Sequence, residues 1–599
     1  MSGIWFAFNA PIQYESIDKL VSCQTEDMYN IFPKQNRILY KSQKLVVGSS
    51  TSEGYPISVY ENQNNIVIVD GAIYGLRKSE QKYKLLSLCD LLTKPGWKEK
   101  CRNFVKQTDG EFIIIMINKN SANFVVFNDS LGRLSFYFSL KSNCLIAARS
   151  VCDIIKFLKK ATLNNLAVTY QLLFEYPMDN GTFLKEIESW PMGHYIKYED
   201  HRLSKMQPFI EWNFDNIERQ DSFNDMAECL SKLLIHACQV RFAECTEKKI
   251  LITLSGGFDS RIVAAILEHF QINFKAITRT SQINEYNEIE IAKKISTILG
   301  IDHLLFSVPD VSTDMMIKFA IAREGALAMY LAPILSFHLK VRKTIGSDVF
   351  LFTGLGGNAT LDPFELNRKI NSVEDMVNYF FESCVRKEIK LIHEITGVNF
   401  TDIKDNLIQT LYDYPERSTS GKFLGLKIRQ RFKRWQVEGE DMKREVYWCT
   451  TPFYSQEFFK IAMSCPNEWK KNHKLKKAIL EILNRECSNV PRSGYIGTSM
   501  KQRLFISIYQ LIASNKWFLK TYRLSKFYRQ QWSITPIPIE LNKYLISILS
   551  EQHPLLSEVQ KETLLKIISI PPTVRLRNRL ISLVIALPHI WNSIGVYCR

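Results

Sequence analysis

Six consecutive residues, Ser255-Gly256-Gly257-Phe258-Asp259-Ser260, constrain this chain more than any other stretch. The apolar run Ile250-Leu251-Ile252-Thr253-Leu254 leads into them, and the periodic stretch Arg261-Ile262-Val263-Ala264-Ala265-Ile266-Leu267 leads out. The order this spells is strand, glycine turn, helix. The glycines let the backbone curl tightly and leave N–H groups bare, the hydroxyls of Ser255 and Ser260 add donors, and the helix N-terminus adds a partial positive charge. Such a nest holds a phosphate or pyrophosphate. Asp259 makes little sense against a bare anion, but it does where Mg²⁺ bridges protein and phosphates, because that ion prefers hard oxygen ligands. The alternative, a chance Ser-Gly turn, leaves the agreement of strand, spacing and helix unexplained.

At these residues the chain resembles the PP-loop ATP pyrophosphatases and, within them, the asparagine synthetase-like family. The resemblance implies ATP as cofactor, cleaved between its α and β phosphates, with Leu254, Ser255, Gly256, Gly257, Asp259 and Ser260 around the nucleotide and Asp259 on Mg²⁺. A substrate carboxylate becomes an acyl-adenylate, pyrophosphate leaves, and an amine attacks to give an amide. A second buried strand, Phe274-Lys275-Ala276-Ile277-Thr278, places backbone near Ile277 and Thr278 at the strand edges where such a sheet takes its ligand, here adenine. Glu288, in the turn that follows, is either a polar contact or a simple first-turn helix acid. A third strand, Val349-Phe350-Leu351-Phe352, runs into Thr353-Gly354-Leu355-Gly356-Gly357-Asn358. This resembles the family's Ser-Gly-acid-Gly-x-Asp-Glu fingerprint, with Gly354 at the nucleotide and Asn358 at the Mg²⁺ position. Three side chains depart from it: Leu355, Asn358 and Ala359 stand where the family has acids. Asn358 still offers a carbonyl oxygen to the metal, more weakly, whereas Leu355 can do no acid–base work. Thr451-Pro452-Phe453-Tyr454-Ser455 is loosely similar to the family's Arg-Pro-Phe-Leu-Asp segment. Lys477-Ala478-Ile479-Leu480 resembles its Lys-x-x-Leu segment and makes Lys477 the catalytic cation, with a solvated helix face as the rival reading.

A chain of 599 residues is too long for one core and calls for two or three domains. Upstream of the loop, short β-rich runs (Ile66–Val69, Phe112–Met116, Phe124–Phe127, Cys144–Ala148) alternate with helical stretches such as Tyr83–Leu92, which reads as an α+β layered domain. Met1-Ser2-Gly3-Ile4, Asp70-Gly71-Ala72-Ile73-Tyr74 and Asn128-Asp129-Ser130-Leu131-Gly132 resemble the Ntn-type glutaminase domain of class II amidotransferases. There the family's nucleophile is a cysteine and its oxyanion donor an asparagine; here Ser2 and Asp70 stand in their places. A hydroxyl is far less acidic than a thiol, and a carboxylate repels a developing negative charge, so the glutaminase is expected to be inactive. The expected organisation is therefore a glutaminase-like domain over 1–210, an α/β doubly wound PP-loop synthetase domain over 225–500, and a basic helical extension over 501–599.

That extension holds fourteen Lys and Arg against four Asp and Glu. Trp517, Tyr522, Phe527, Tyr528 and Trp532 are interleaved with its cations, a pattern open to nucleic acid or to an acidic partner, but which reads first as an amphipathic helix with a solvated basic face. No basic-then-apolar leader opens the chain, and Leu580–Ile590, interrupted by Pro588, is too short to span a bilayer, so a cytoplasmic protein with no membrane partner is expected. The thirteen cysteines form no Cys-x-x-Cys pair and read as reduced thiols. The leading reading is ATP-dependent amide formation between a carboxylate and an amine that is part of a larger substrate, as in a lasso-type peptide macrolactam cyclase acting on a precursor peptide. An asparagine synthase using glutamine or ammonia, and a non-catalytic nucleotide-binding descendant, stay open beside it. The oligomeric state is not legible.

Overall fold

The computed structural model describes residues 1–11, 31, 33–215, 221–245, 247–280, 286–308, 311–364, 370–382, 386–492, 539–550 and 574–592. In the N-terminal half two antiparallel sheets lie face to face. One has the strand order Glu188–Ser189, Tyr137–Lys141, Cys144–Ala148, Gly3–Phe8, Leu45–Thr51, Gln35–Lys41; the other is built around Asn65–Ile73, Gly110–Asn118 and Phe124–Asn128. Side-chain alternation sets the layers. Ile4, Phe6 and Phe8 point between the sheets to meet Ile66, Ile68, Ile113 and Ile115, while Trp5 and Ala7 point outward to the helical segment of Val151, Ile154 and Val168. On the second sheet Val67 and Val69 face α1 (Lys78–Cys89) and α2 (Trp97–Gln107) through Leu85 and Val105. The result is helix, sheet, sheet, helix, the α+β layering that the alternating runs imply.

The second half is a parallel sheet of β1 (Lys249–Thr253), β2 (Phe274–Thr280), β3 (Asp302–Ser307), β4 (Val349–Phe352) and β5 (Trp448–Thr450), in the order β3-β2-β1-β4-β5. The chain steps outward from β1 to β3, then returns across β1 to β4. The loops that follow β1 and β4 therefore open beside each other at the carboxyl edge, where a doubly wound sheet receives a ligand. The amphipathic α3 (Phe223–Phe242) and α4 (Phe258–His269) join the core through Leu230, Leu234, Ile262 and Ile266.

Residues 501–538, with Trp517 and the other interleaved aromatics, lie outside the described residues. Helix Val574–Asn592 is not appended to the body. Leu580, Leu583, Val584 and Leu587 are buried with Val168, Leu172 and Ile321, and Arg579 pairs with Glu175 at 2.7 Å. Among the described residues no helix is long and apolar enough to cross a membrane. All the described cysteines but Cys144 and Cys229 are buried.

The seam between the halves is charged. Helix α5 (Val437–Arg444) supplies Glu438, Glu440, Asp441 and Arg444, all buried. Asp441 meets Arg149 at 3.0 Å and Arg444 at 2.9 Å, Glu438 pairs with Arg323, and Asp109 takes Arg133 at 3.1 Å and Arg241 at 2.6 Å. Despite burial, Arg149 and Arg444 hold the Asp441 carboxyl far below the usual range.

Candidate active site

The loop after β1 is stitched by its own serines. Ser255 N–H donates to Ser260 Oγ at 3.1 Å, the two hydroxyls lie 3.0 Å apart, and Gly257 N–H donates to Ser255 Oγ at 3.2 Å. Gly256 N–H points at Glu288 Oε1, 3.4 Å away, so the carboxylate at the start of the next helix caps the nest. One expectation needs correction. Gly257 has φ −86° and ψ 164°, extended backbone open to any residue, so this glycine does not serve a tight curl. An added Cβ would meet only Ser255 Oγ, at 3.4 Å.

The loop after β4 leans directly on the first. A Cβ on Gly354 would fall 2.6 Å from Ser260 N, and one on Gly357 would fall 2.3 Å from Asp259 Cγ. Gly356 has φ +94°, and the Tyr454 ring lies 2.7 Å from where its Cβ would be. Thr451 Oγ1 donates to the Leu355 carbonyl at 2.6 Å, which ties the Thr451–Ser455 segment to the same loop. Leu254 N–H donates to Ile277 O at 3.0 Å, and Thr278 Oγ1 donates to Leu254 O at 2.6 Å. Ile277 is fully buried and the Thr278 hydroxyl is spent on the sheet, so these two brace the β1 end with their side chains.

Next to the loops lies the ammonium of Lys476 on α7 (Lys474–Leu483). It sits 2.9 Å from Asp259 Oδ1 and 2.7 Å from Asp362 Oδ1, and donates to Asn358 Oδ1 at 2.9 Å. His473 Nδ1 lies 3.2 Å from the same Asp362 oxygen, and Arg492 meets His473 Nε2. Burial raises the Asp259 pKa, and Lys476 opposes that rise. Lys477 is not part of this cluster. Leu475, Ile479 and Leu480 set the inward face of α7, Lys476 lies beside it, and Lys477 is exposed on the far side. Asp362, His473 and Lys476 escaped the sequence reading; the apolar spacing of α7 was the signal that favoured Lys476.

At the N-terminus, Ser2 is buried. Its Oγ lies 3.1 Å from Glu445 Oε2 and accepts from Ser52 N–H at 3.0 Å, while its N–H donates to Glu445 Oε1. Burial would raise the Glu445 pKa, but Lys34, the N-terminal amine and the Ser2 N–H outweigh it and hold the group at about 2. Asp70 accepts from Ile4 N–H at 2.8 Å and from the Tyr55 hydroxyl at 2.7 Å, so both its oxygens are occupied.

Two family models match in the order of the two halves: a glutamine amidotransferase domain over residues 7–210 and asparagine synthase over residues 231–396. The chain belongs to the asparagine synthetase-like family. A curated relative, amidase chry2 of Gibberella zeae, is 21% identical over 233 residues, which cover 37% of this chain and 34% of that one. The match thus spans about a third of that relative's length. Among solved structures, the allosteric regulatory enzyme of purine biosynthesis is 11% identical with a TM-score of 0.24, over 70% of this chain and 93% of that one. The glutamine phosphoribosylpyrophosphate amidotransferase of B. subtilis is 9% identical with a TM-score of 0.22, over 70% and 94%. The NMN synthetase of Francisella tularensis is 15% identical with a TM-score of 0.18, over 36% and 97%.

For an asparagine synthetase-like chain, the asparagine synthase domain supports ATP-dependent amide ligation. The donor set also fits the Mg²⁺ that such chemistry uses. Asp259, Asn358 and Asp362 offer hard oxygens of the kind that ion takes, and in the structure all three converge on the Lys476 ammonium, at 2.9, 2.9 and 2.7 Å.

Proposed function

We propose that this chain joins a carboxylate to an amine at the expense of ATP, releasing AMP and pyrophosphate. The carboxylate oxygen attacks the α-phosphorus and pyrophosphate departs; the amine then attacks the acyl carbon, AMP leaves with the bonding pair, and the amine gives up a proton. The observation that carries the reading is the convergence of Asp259, Asn358 and Lys476 beside the glycine loop that opens α4. The N–H nest, with the hydroxyls of Ser255 and Ser260, binds the phosphates. Lys476 neutralises the pyrophosphate as it leaves, and Asp259 with Asn358 would hold Mg²⁺, which supplies further charge neutralisation on the phosphate oxygens.

The amine is not drawn from glutamine on this reading. Ser2 Oγ is engaged by Ser52 and by a carboxylate from the other half of the molecule, and Asp70 has no donor to offer an oxyanion. An amine carried on the acyl substrate gains effective molarity from binding alone, so a peptide that closes on its own acidic side chain is the proposed substrate, as in macrolactam cyclases of the lasso type. Asparagine synthase is the second reading, favoured by the presence of both family domains in that enzyme's order. The test is to incubate the purified protein with ATP, Mg²⁺ and synthetic peptides bearing a free N-terminal amine and an internal Asp or Glu. Pyrophosphate release together with loss of one water from the peptide supports the cyclase. Conversion of free aspartate to asparagine with glutamine or ammonia, and no peptide product, replaces it by the second reading. No pyrophosphate with any substrate overturns both.

A further inference from the structure

Where α1 and α2 of the N-terminal half face α3 and the start of α6 (Gln456–Met463), the surface opens into a groove of about 540 Å³. It is remote in sequence from both glycine loops and shares no lining residue with them. The floor is apolar, from Tyr74, Leu88, Phe104, Leu233 and Val240. The rim is basic: Lys84, Lys100 and Lys106 are all exposed along it. The charge is strongly one-sided, since α1 and α2 together carry seven Lys and Arg against Glu80 and Glu99, and each of those acids is already ion-paired with an arginine. Of the two acids that line the groove, Asp109, at its base, is neutralised by Arg133 and Arg241, which leaves Glu457 on α6 against the three lysines. One polar group in the lining remains unsatisfied: Gln456 Oε1 has no hydrogen-bond partner.

We propose that this groove docks an acidic peptide segment bearing an aromatic or aliphatic anchor. The anchor would bury against Leu88, Phe104 and Val240, and the acidic neighbours would lie along the three lysines. Nucleic acid is the poorer fit. No arginine lines the groove to grip phosphate in bidentate fashion, and the apolar floor suits a side chain rather than a phosphodiester backbone. The assignment does not need the ATP reading; it concerns where a chain is held, whatever is done to it.

Fluorescence anisotropy of the full-length protein with a labelled short peptide, rich in Asp and Glu around one Phe, tests the proposal. Binding is expected to weaken as salt rises and to vanish for the same peptide with Lys in place of its acids. Two variants separate charge from shape: Lys84→Glu with Lys100→Glu reverses the rim, and Ser87→Trp fills the groove while leaving the lysines in place. Each should lower affinity by about tenfold or more, with the melting temperature unchanged. Wild-type affinity in both variants overturns the assignment. So does a short oligothymidylate that displaces the peptide as well as unlabelled peptide does, which makes the patch a nucleic-acid surface instead.

Discussion

Methionine at position 476 would keep the length of the side chain and remove one positive charge from a point that Asp259, Asn358 and Asp362 surround. Lys476→Met is expected to cut pyrophosphate release about a hundredfold or more, the scale of losing one preorganised charge partner in a site shielded from water. Lys477→Met, one residue along and exposed, should remain near wild type, and steady-state pyrophosphate assays on the pair decide between them. Equal losses would show that the helix carries its charge in a different phase. Glu445 gives a prediction about acid. Its carboxyl is held at about 2 in the folded protein, below the roughly 4.3 of a free glutamate, so its contribution to stability is complete above that range and is lost as pH falls toward 2. Glu445→Gln should therefore flatten the fall in denaturation midpoint between about pH 4 and 2, the reverse of a general acid weakening of the fold.

The two glycine loops hold each other by backbone contact, and this gives unequal sensitivity to a single methyl group. Gly354→Ala drives a Cβ to 2.6 Å from the Ser260 backbone nitrogen, which cannot turn aside, whereas Gly257→Ala meets a hydroxyl at 3.4 Å in a conformation alanine adopts freely. The first should abolish detectable nucleotide binding by calorimetry; the second should lower affinity only modestly. These loops were legible in the sequence because each is contiguous and follows a run of β-branched or aromatic residues bounded by glycine, as at Val349–Phe352. The cation cluster was not, because Asp259, Asp362, His473 and Lys476 come from separate stretches that only the sheet's switch point brings together. Within α7 the available signal was phase, and a motif match set beside it picked the neighbouring lysine. The seam was illegible for a different reason: Glu438, Glu440, Asp441 and Arg444 on one short helix look in sequence like any solvated face, and nothing local tells that Arg149 and Arg323 will cover them.

Taken together, those seam charges make the halves one body. Arg149→Met leaves Asp441 and Asp70 facing each other without their shared cation, and loss of one partner of a buried pair costs about 3–5 kcal/mol. Chemical denaturation followed by intrinsic fluorescence should then show an earlier midpoint, and in the wild type a single transition for both halves; a separate early transition of either half would count against a shared seam. The same pairing bears on how the protein is made. The first two sheets can close once the strand at Gln207–Pro208 has emerged, yet Arg149 then has only Asp70, 3.8 Å away, while Asp441 on α5 is still untranslated. At roughly 5–20 residues per second the wait lasts on the order of tens of seconds. During that interval Arg149 lacks the nearer of its two carboxylates, so chains arrested short of α5 should be cut readily by protease and those arrested beyond β5 should resist it.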